Sequence, residues 1–252
     1  MASLSTASDL ALRLLSLAFL LVIWGLIAAL ADTPMLPGPG MVALSMFEHA
    51  FTGDLFYHVG VTLRRVVIAF VVAMIIGTAF GMLMGRQRQF DMLFDGWLVL
   101  GLNIPALVVI MLCYVWFGLT DVAAILAVAI NKIPTVVVTV REGARAVNRD
   151  LLQVAEIYRL SWRKTLFKIY LPQLYPYLMV AARSGLALIW KIVLVVELLG
   201  RSDGVGFQLS VYFQFFDITS ILAYTLAFVG IVLFIELAMV RPLEVRLTRW
   251  RL

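Results

Sequence analysis

Lys132, Arg183, Lys191 and Glu197 are ionisable residues set inside long apolar runs, three cations against one acid. Charge held within a hydrocarbon layer is costly, so such residues are candidates for function by default. An excess of positive charge between helices suits the passage of an anion. A structural alternative stands beside this: Lys191 and Glu197 pair across helices while Arg183 snorkels. On one helix Lys191 is rotated about 80° from Arg183 and Glu197 about 240° from Lys191, so Lys191 and Glu197 do not face each other. Asn103-Ile104-Pro105 and Asn131-Lys132-Ile133-Pro134 interrupt two neighbouring apolar runs. Proline frees a carbonyl about one turn back, which needs a new partner or a water-lined path. Asn103 and Asn131 therefore join the path candidates, a kinked structural helix being the other reading.

Other chemistries find little support. A P-loop needs a lysine after glycine to cradle phosphate, and none of the four lysines follows one. Neither an HExxH nor a GxSxG motif is present. Ser161-Trp-Arg-Lys164 spells SxxK without its companion motifs, and Gly204-Val205-Gly206 reads as a turn. His49 and His58 have no third ligand nearby and read as surface histidines, so no metal site is expected. Cys113 is the single cysteine, which rules out an intrachain disulfide.

The elements that carry these residues are set by hydropathy. The chain is 63% hydrophobic and 14% charged, with a mean hydropathy of +1.01, values that belong to membrane proteins. A bilayer crossing takes about 20 apolar residues. Six uncharged or nearly uncharged windows qualify: Leu14 to Ala31, Val66 to Gly85, Gly96 to Thr120, Val122 to Val140, Leu174 to Leu199 and Ile218 to Ile235. With their helical flanks the expected spans are 12–31, 62–85, 93–119, 122–142, 173–199 and 218–240. The fold class is an all-α membrane protein forming one domain over residues 1–252. The first window exceeds the roughly 7–15 residues of a signal-peptide core and is expected to be a retained helix.

Residues 32–61 form an external segment. Pro34, Pro37 and Pro39 force an extended exit from the first span, and Met41 to Val59 reads as a modest helix. In the second span Gly77, Gly81 and Gly85 recur at every fourth residue, lining one helix face for close packing. Fourteen of the lysines and arginines fall in segments on one side of the membrane and three, Arg64, Arg65 and Arg201, on the other. The positive-inside rule then places both termini and the 141–172 region in the cytoplasm. The pI near 9.6 reflects this topology and anionic lipid headgroups; nucleic acid is not required.

One stretch interrupts the hydrophobic pattern. Gln153 to Pro172, QVAEIYRLSWRKTLFKIYLP, carries Arg159, Arg163, Lys164 and Lys168 against one acid. Asp150 with Gln153 makes a capping-box variant, so a helix is expected from Leu151, with Leu152, Ala155, Ile157 and Tyr158 on its apolar side. Ser161 is placed to cap a second short helix from Trp162, and Pro172 to start the next span, where its missing amide matters little. The result is a helix-turn-helix over 147–172, for which an amphipathic helix resting on headgroups is the plain alternative.

This segment resembles the cytoplasmic coupling loop of binding-protein-dependent ABC importer permeases: Glu-Ala-Ala, three residues, Gly, nine residues, Ile-x-Leu-Pro. Ile169-Tyr170-Leu171-Pro172 aligns with the end of that pattern, Arg159 with its glycine, and Gln153-Val154-Ala155 with its Glu-Ala-Ala. Spacing agrees; Gln153 and Arg159 depart in identity, and Glu156 lies one turn from the family's acid position. Leu36-Pro-Gly-Pro-Gly-Met-Val42, Thr62-Leu-Arg-Arg65 with Phe70, Gly77 and Gly81, Asn103-Ile-Pro105, Trp116-Phe-Gly118 and the Trp190-Lys191, Glu197, Gly204-Val-Gly206 series resemble the nitrate, sulfonate, taurine and bicarbonate branch. The resemblance covers about residues 36 to 240.

The resemblance implies a type I importer permease of six spans in a bacterial cytoplasmic (inner) membrane, with the coupling loop between spans four and five. It implies two cytosolic ABC ATPase subunits as partners, which bind ATP and Mg, and no cofactor or enzymatic activity in this chain. A second permease copy, as a homodimer or with a similar subunit, and a periplasmic or lipid-anchored substrate-binding protein complete the assembly. Gln153, Val154, Ala155, Glu156, Arg159, Ser161, Leu171 and Pro172 would couple to the ATPase. Asn103, Asn131, Lys132, Arg183, Lys191 and Glu197 would line the path of a small anionic nutrient. The same permease with a neutral or heterocyclic cargo, such as riboflavin or a vitamin precursor, is the alternative. An intramembrane enzyme would need a second acid or a nucleophile beside Glu197. An ion-driven carrier would show inverted repeats.

Overall fold

The computed structural model describes residues 2–240 and 242. Among them every regular element is helical: α1 (Ala2–Ala31), α2 (Pro39–Phe51), α3 (Leu55–Arg86), α4 (Arg88–Asn103), α5 (Ala106–Phe117), α6 (Asp121–Arg145), α7 (Arg149–Ile157), α8 (Trp162–Thr165), α9 (Leu171–Gly200), α10 (Val205–Gln214) and α11 (Ile218–Ile235). Among the described residues five stretches are long and apolar enough to cross a bilayer, and the α4–α5 pair makes a sixth crossing if counted as one broken span. Of the cations counted for topology, Arg241, Arg246, Arg249 and Arg251 lie outside the described residues.

The core is built on α6, which packs most extensively on α3 and next on α9. The α3 contact follows from the glycine repeat. An added Cβ at Gly77 would lie 2.6 Å from Val136 Cβ, and one at Gly81 2.8 Å from Val140 Cβ; at Gly85 it would collide with Ala144 Cβ. Three glycines thus receive Val136, Val140 and Ala144 of α6, as the i, i+4, i+8 spacing predicts. Small residues also set the α6–α9 approach: Ala123, Ala124, Ala127 and Val128 are buried against Ile189, Val193 and Val196. The α1 helix lies outside this bundle and touches it through α2, where the Trp24 indole donates to the Pro37 carbonyl at 3.1 Å.

Four expectations about elements are corrected. The external helix ends at Phe51; the turn at Thr52 to Asp54 separates it from α3, which begins eleven residues before Val66. The third span is two helices meeting at 97°. Ile104, preceding Pro105, is driven to extended backbone (ψ 125°), which ends α4, and Asn103 turns its amide back to the Val99 carbonyl at 2.7 Å. At Pro134 the expected break is missing, and α6 runs on unbroken. There the Thr135 hydroxyl donates to the Lys132 carbonyl at 2.8 Å and Asn131 to the Ala127 carbonyl at 2.9 Å, and packing on both sides holds the helix. Finally, Pro172 does not start the fifth span. Helix is continuous from Trp162 to Gly200. A π-helical turn, Leu166–Tyr170, precedes the proline, with Leu171 N–H bonded back to Leu166. Such a wider turn absorbs the register change where a proline enters a helix.

Candidate functional site

The 147–172 segment forms a helix, a tight turn and a second helix. The cap differs from the expected one: α7 starts at Arg149, and Asn148, not Asp150, is its N-cap, accepting from Asp150 N–H at 2.8 Å. The Asn148 backbone N–H donates to Gln173 Oε1 at 2.9 Å, tying α7 to α9. At the other end Leu160 N–H reaches the Ala155 carbonyl and Arg159 N–H the Glu156 carbonyl, both at 2.9 Å. These two bonds form a Schellman motif, which requires a left-handed residue between them. That residue is Arg159, with φ +48°. The turn where the family pattern has glycine is therefore kept here with an arginine, at roughly 1–2 kcal/mol of backbone strain.

The helix α7 has two apolar faces. Ala155 is buried and Leu152 packs with the cluster of Val147, Tyr170 and Leu174, so this face holds α7 to the bundle. Leu151, Val154, Ile157 and Tyr158 point outward, the last two more than three-quarters or just three-quarters exposed. Ile157 and Tyr158, expected on the same side as Leu152 and Ala155, thus belong to the outer face. Gln153, Glu156, Arg159 and Ser161 are exposed; Leu171 and Pro172 are half-buried in the helix entering α9. Ser161 occupies the N-cap position of α8, but its hydroxyl makes no capping bond.

At the opposite end of the bundle lies a charge clamp. Arg65 on α3, almost wholly buried, donates to Glu197 at 2.8 Å, to Asp121 at 2.6 and 2.9 Å and to the Asp203 carbonyl at 2.9 Å, and pairs closely with the Asp203 carboxylate. Glu197 has no exposed surface; its second oxygen accepts from Thr62 Oγ1 at 2.9 Å and from Gly206 N–H at 3.0 Å. Arg201 and Arg64 complete the cluster on Asp121, at 3.2 and 2.5 Å. Gly204 (φ +102°) and Gly206 explain their own identities: a Cβ at either would run into Glu197. The Gly-Val-Gly turn is a cradle for a carboxylate. The histidines are corrected from the surface to this layer. His58, 6% exposed, accepts from Gly204 N–H at 3.0 Å and lies 2.7 Å from the Gln208 amide; His49 lies 3.0 Å from the Ser220 hydroxyl. Among the described residues no three potential ligands gather around a metal position.

Sequence reasoning counted Arg65 among the outside charges, quoted Thr62 and Arg65 only within the family pattern, and did not name Asp121 or Asp203. The available signal was the imbalance at Glu197, a buried acid near the end of span five with Arg65 at the same end of span two.

The path candidates separate. Lys132 is 2% exposed, between α6 and α9, its Cε 2.5 Å from where a Cβ on Gly185 would stand. It has no ion-pair partner among the described residues. Lys191 is exposed and lines a cavity of about 290 Å³ between α9 and α11 with Trp190, Thr225, Phe228 and Glu236. Arg183 is 3.8 Å from Glu236 on the same side. Asn103 is exposed at the α4 end, Asn131 bonds its own helix, and Glu197 is enclosed by the clamp. The structure thus groups Arg183 with Lys191, sets Lys132 behind them, and leaves the two asparagines and Glu197 apart.

A helical bundle with glycine-packed spans apolar enough to cross a bilayer, and with a helix-turn-helix presented at one end, is that of an integral membrane protein. The sequence matches the family model of the binding-protein-dependent transport system inner membrane component over residues 73–241, and the chain belongs to that family. It is 29% identical over 241 residues to SsuC of Bacillus subtilis, a protein named as an aliphatic sulfonates transport permease, covering 93% of this chain and 85% of that one. It is 26% identical to the taurine transport system permease protein TauC of Escherichia coli (93% and 88% covered). It is 29% identical to the bicarbonate transport system permease protein CmpB of Synechococcus elongatus (74% and 71%). Among solved structures, the inward-facing MetNI methionine ABC transporter has a chain similar in fold, with a TM-score of 0.63 at 18% identity, covering 75% of this chain and 95% of that one. The protein is an ABC importer permease of the type I fold and an inner membrane component.

Proposed function

We propose that this permease imports a small organic or inorganic anion, of the sulfonate, taurine or bicarbonate kind, and that Lys132, Arg183 and Lys191 guide it between the spans. The observation that carries the reading is Lys132, a cation buried between α6 and α9 without a carboxylate partner among the described residues. A buried cation of this kind is expensive unless an anion visits it. The relatives named for sulfonates, taurine and bicarbonate support a cargo that carries an anionic group, a sulfonate or a bicarbonate. Arg183 and Lys191 offer a second cationic surface on α9, beside the cavity between α9 and α11. Glu197 serves the clamp, not the anion.

In the same reading α7 docks on a separate ATPase subunit that binds ATP and Mg. Its outer face of Leu151, Val154, Ile157 and Tyr158 enters a groove of that partner, while Leu152 and Ala155 pass the movement to the bundle. Two ATPase subunits and two permease copies make the assembly, and a binding protein delivers the anion at the clamp end. The α7 end and both termini then face the cytoplasm, in line with the clustering of Arg141, Arg145, Arg149, Arg159 and Arg163 there. The test is uptake of a labelled alkanesulfonate, taurine or bicarbonate by cells producing the whole system. Lys191→Ala is expected to lower uptake at least fivefold while leaving basal ATP hydrolysis of the assembled complex; unchanged uptake would overturn the path assignment.

A further inference from the structure

Where α3, α6, α7 and the π-helical turn converge there is a cavity of about 400 Å³, walled by Arg86, Arg145, Arg149, Gln153, Glu156 and Tyr170. Two of its three arginines are not matched by acids. Arg145 is committed to Asp91 at 2.5 Å and to Glu142 at 3.0 Å. Among the described residues neither Arg86 nor Arg149 has a carboxylate within ion-pair distance, and Glu156, the acid on the wall, pairs with none of the three arginines. The Arg86 guanidinium instead lies 5.1 Å from the centre of the Tyr170 ring. Tyr170 is 3% exposed and its buried hydroxyl has no hydrogen-bond partner. A buried donor left unmatched calls for an explanation, and a ligand is one.

Guanidinium pairs recognise phosphate through charge-assisted, often bidentate hydrogen bonds. Basic pockets between the ends of membrane helices take phospholipid headgroups. We propose that this cavity binds a phosphate group, with Arg86 and Arg149 pairing with its oxygens and the Tyr170 hydroxyl donating to it. An anionic phospholipid headgroup and free phosphate share this chemistry. A bound phosphate would bridge the end of α3 to the start of α7 and so brace the docking helix against the spans. That consequence rests on the proposed role of α7; binding itself does not.

The test uses the purified full chain, stripped of lipid, with phosphatidylglycerol or phosphatidylcholine added back and bound lipid counted by native mass spectrometry. In parallel, inorganic phosphate is titrated against chloride at constant ionic strength, with thermal denaturation as the readout. Arg86→Gln with Arg149→Gln is expected to weaken binding at least tenfold, and Tyr170→Phe severalfold, with Arg88→Gln unchanged. Phosphatidylglycerol bound in preference to phosphatidylcholine assigns the headgroup as the source; stabilisation by inorganic phosphate alone assigns free phosphate, and either supports the site. Binding of neither, or binding that survives the double substitution, overturns it. Loss of ATPase docking in the double variant with phosphatidylglycerol binding intact also overturns it, because the cavity then serves the partner protein. Failure of the α7 docking reading would appear separately, as ATPase binding that ignores the outer face of α7 while lipid binding persists.

Discussion

Arg65 and Glu197 are both almost wholly buried, and each is enclosed by partners from other elements. Removing one member of a buried pair leaves the other uncompensated, at a cost of about 3–5 kcal/mol. Arg65→Met is therefore expected to lower the thermal midpoint of the solubilised chain markedly, because Glu197 is left buried without a cation; an unchanged midpoint would show that the clamp contributes nothing. Arg159 predicts the opposite sign. Glycine tolerates its positive φ without the roughly 1 kcal/mol or more of strain an arginine carries. Arg159→Gly should raise the midpoint slightly and leave ATPase assembly intact, so loss of the ATPase on that change would show the arginine to be part of the contact. Residue identity in this turn was legible as a departure from the family spacing, but its geometry was not. A φ value follows from the two bonds that close the Schellman turn, and those depend on where α7 ends. The clamp was half legible for a similar reason: Glu197 stood out as a charge in an apolar run, while Arg65 sat next to Arg64 and was counted with it among the outside charges.

At the scale of elements, the glycine face of α3 is the clearest case of sequence dictating packing. Gly81→Ala puts a Cβ 2.8 Å from that of Val140 and 2.9 Å from the Val137 carbonyl. Overpacking of this kind costs about 1–3 kcal/mol, and a larger side chain costs more, to be read as reduced yield and midpoint of the purified chain. The periodicity that revealed this face came from α3 alone, whereas the 97° turn between α4 and α5 depends on what α4 meets. Asp91 and Asp95 on α4 bind Arg141 of α6, at 3.2 and 2.6 Å, and Arg145 binds Asp91 as well, which holds α4 across the bundle end. No hydropathy window contains that information. Pro134 is the converse case, a residue that reads as a break and is carried through by its neighbours. For α7, the outer face makes a separate prediction: Val154→Asp with Ile157→Asp should weaken ATPase binding by at least tenfold while leaving the midpoint of the isolated chain unchanged, because both residues are exposed. A fall in the midpoint without loss of binding would instead assign those residues to the bundle.

On the whole-molecule scale, the permease links two ends of one bundle through α6 and α9. The clamp joins α3, α6 and α9 at one end, and the α7 turn feeds directly into α9 at the other. The continuous helix from Trp162 to Gly200 therefore carries Arg183, Lys191 and Glu197 on one rod, joined to α7 through the Arg159 turn, with Lys132 of α6 packed against its middle. In the proposed reading, movement of α7 by an ATPase partner shifts Arg183 and Lys191 on that rod relative to Lys132 on α6. The measurement closest to this account is ATP-dependent accumulation of a labelled sulfonate, taurine or bicarbonate by proteoliposomes containing the chain with its ATPase and binding protein, compared with the same complex carrying Lys132→Met. Accumulation by the unaltered complex is expected, with a loss of at least tenfold in the variant and ATP hydrolysis retained. Accumulation that is indifferent to Lys132, or failure of the unaltered complex to move any of these anions, would contradict it.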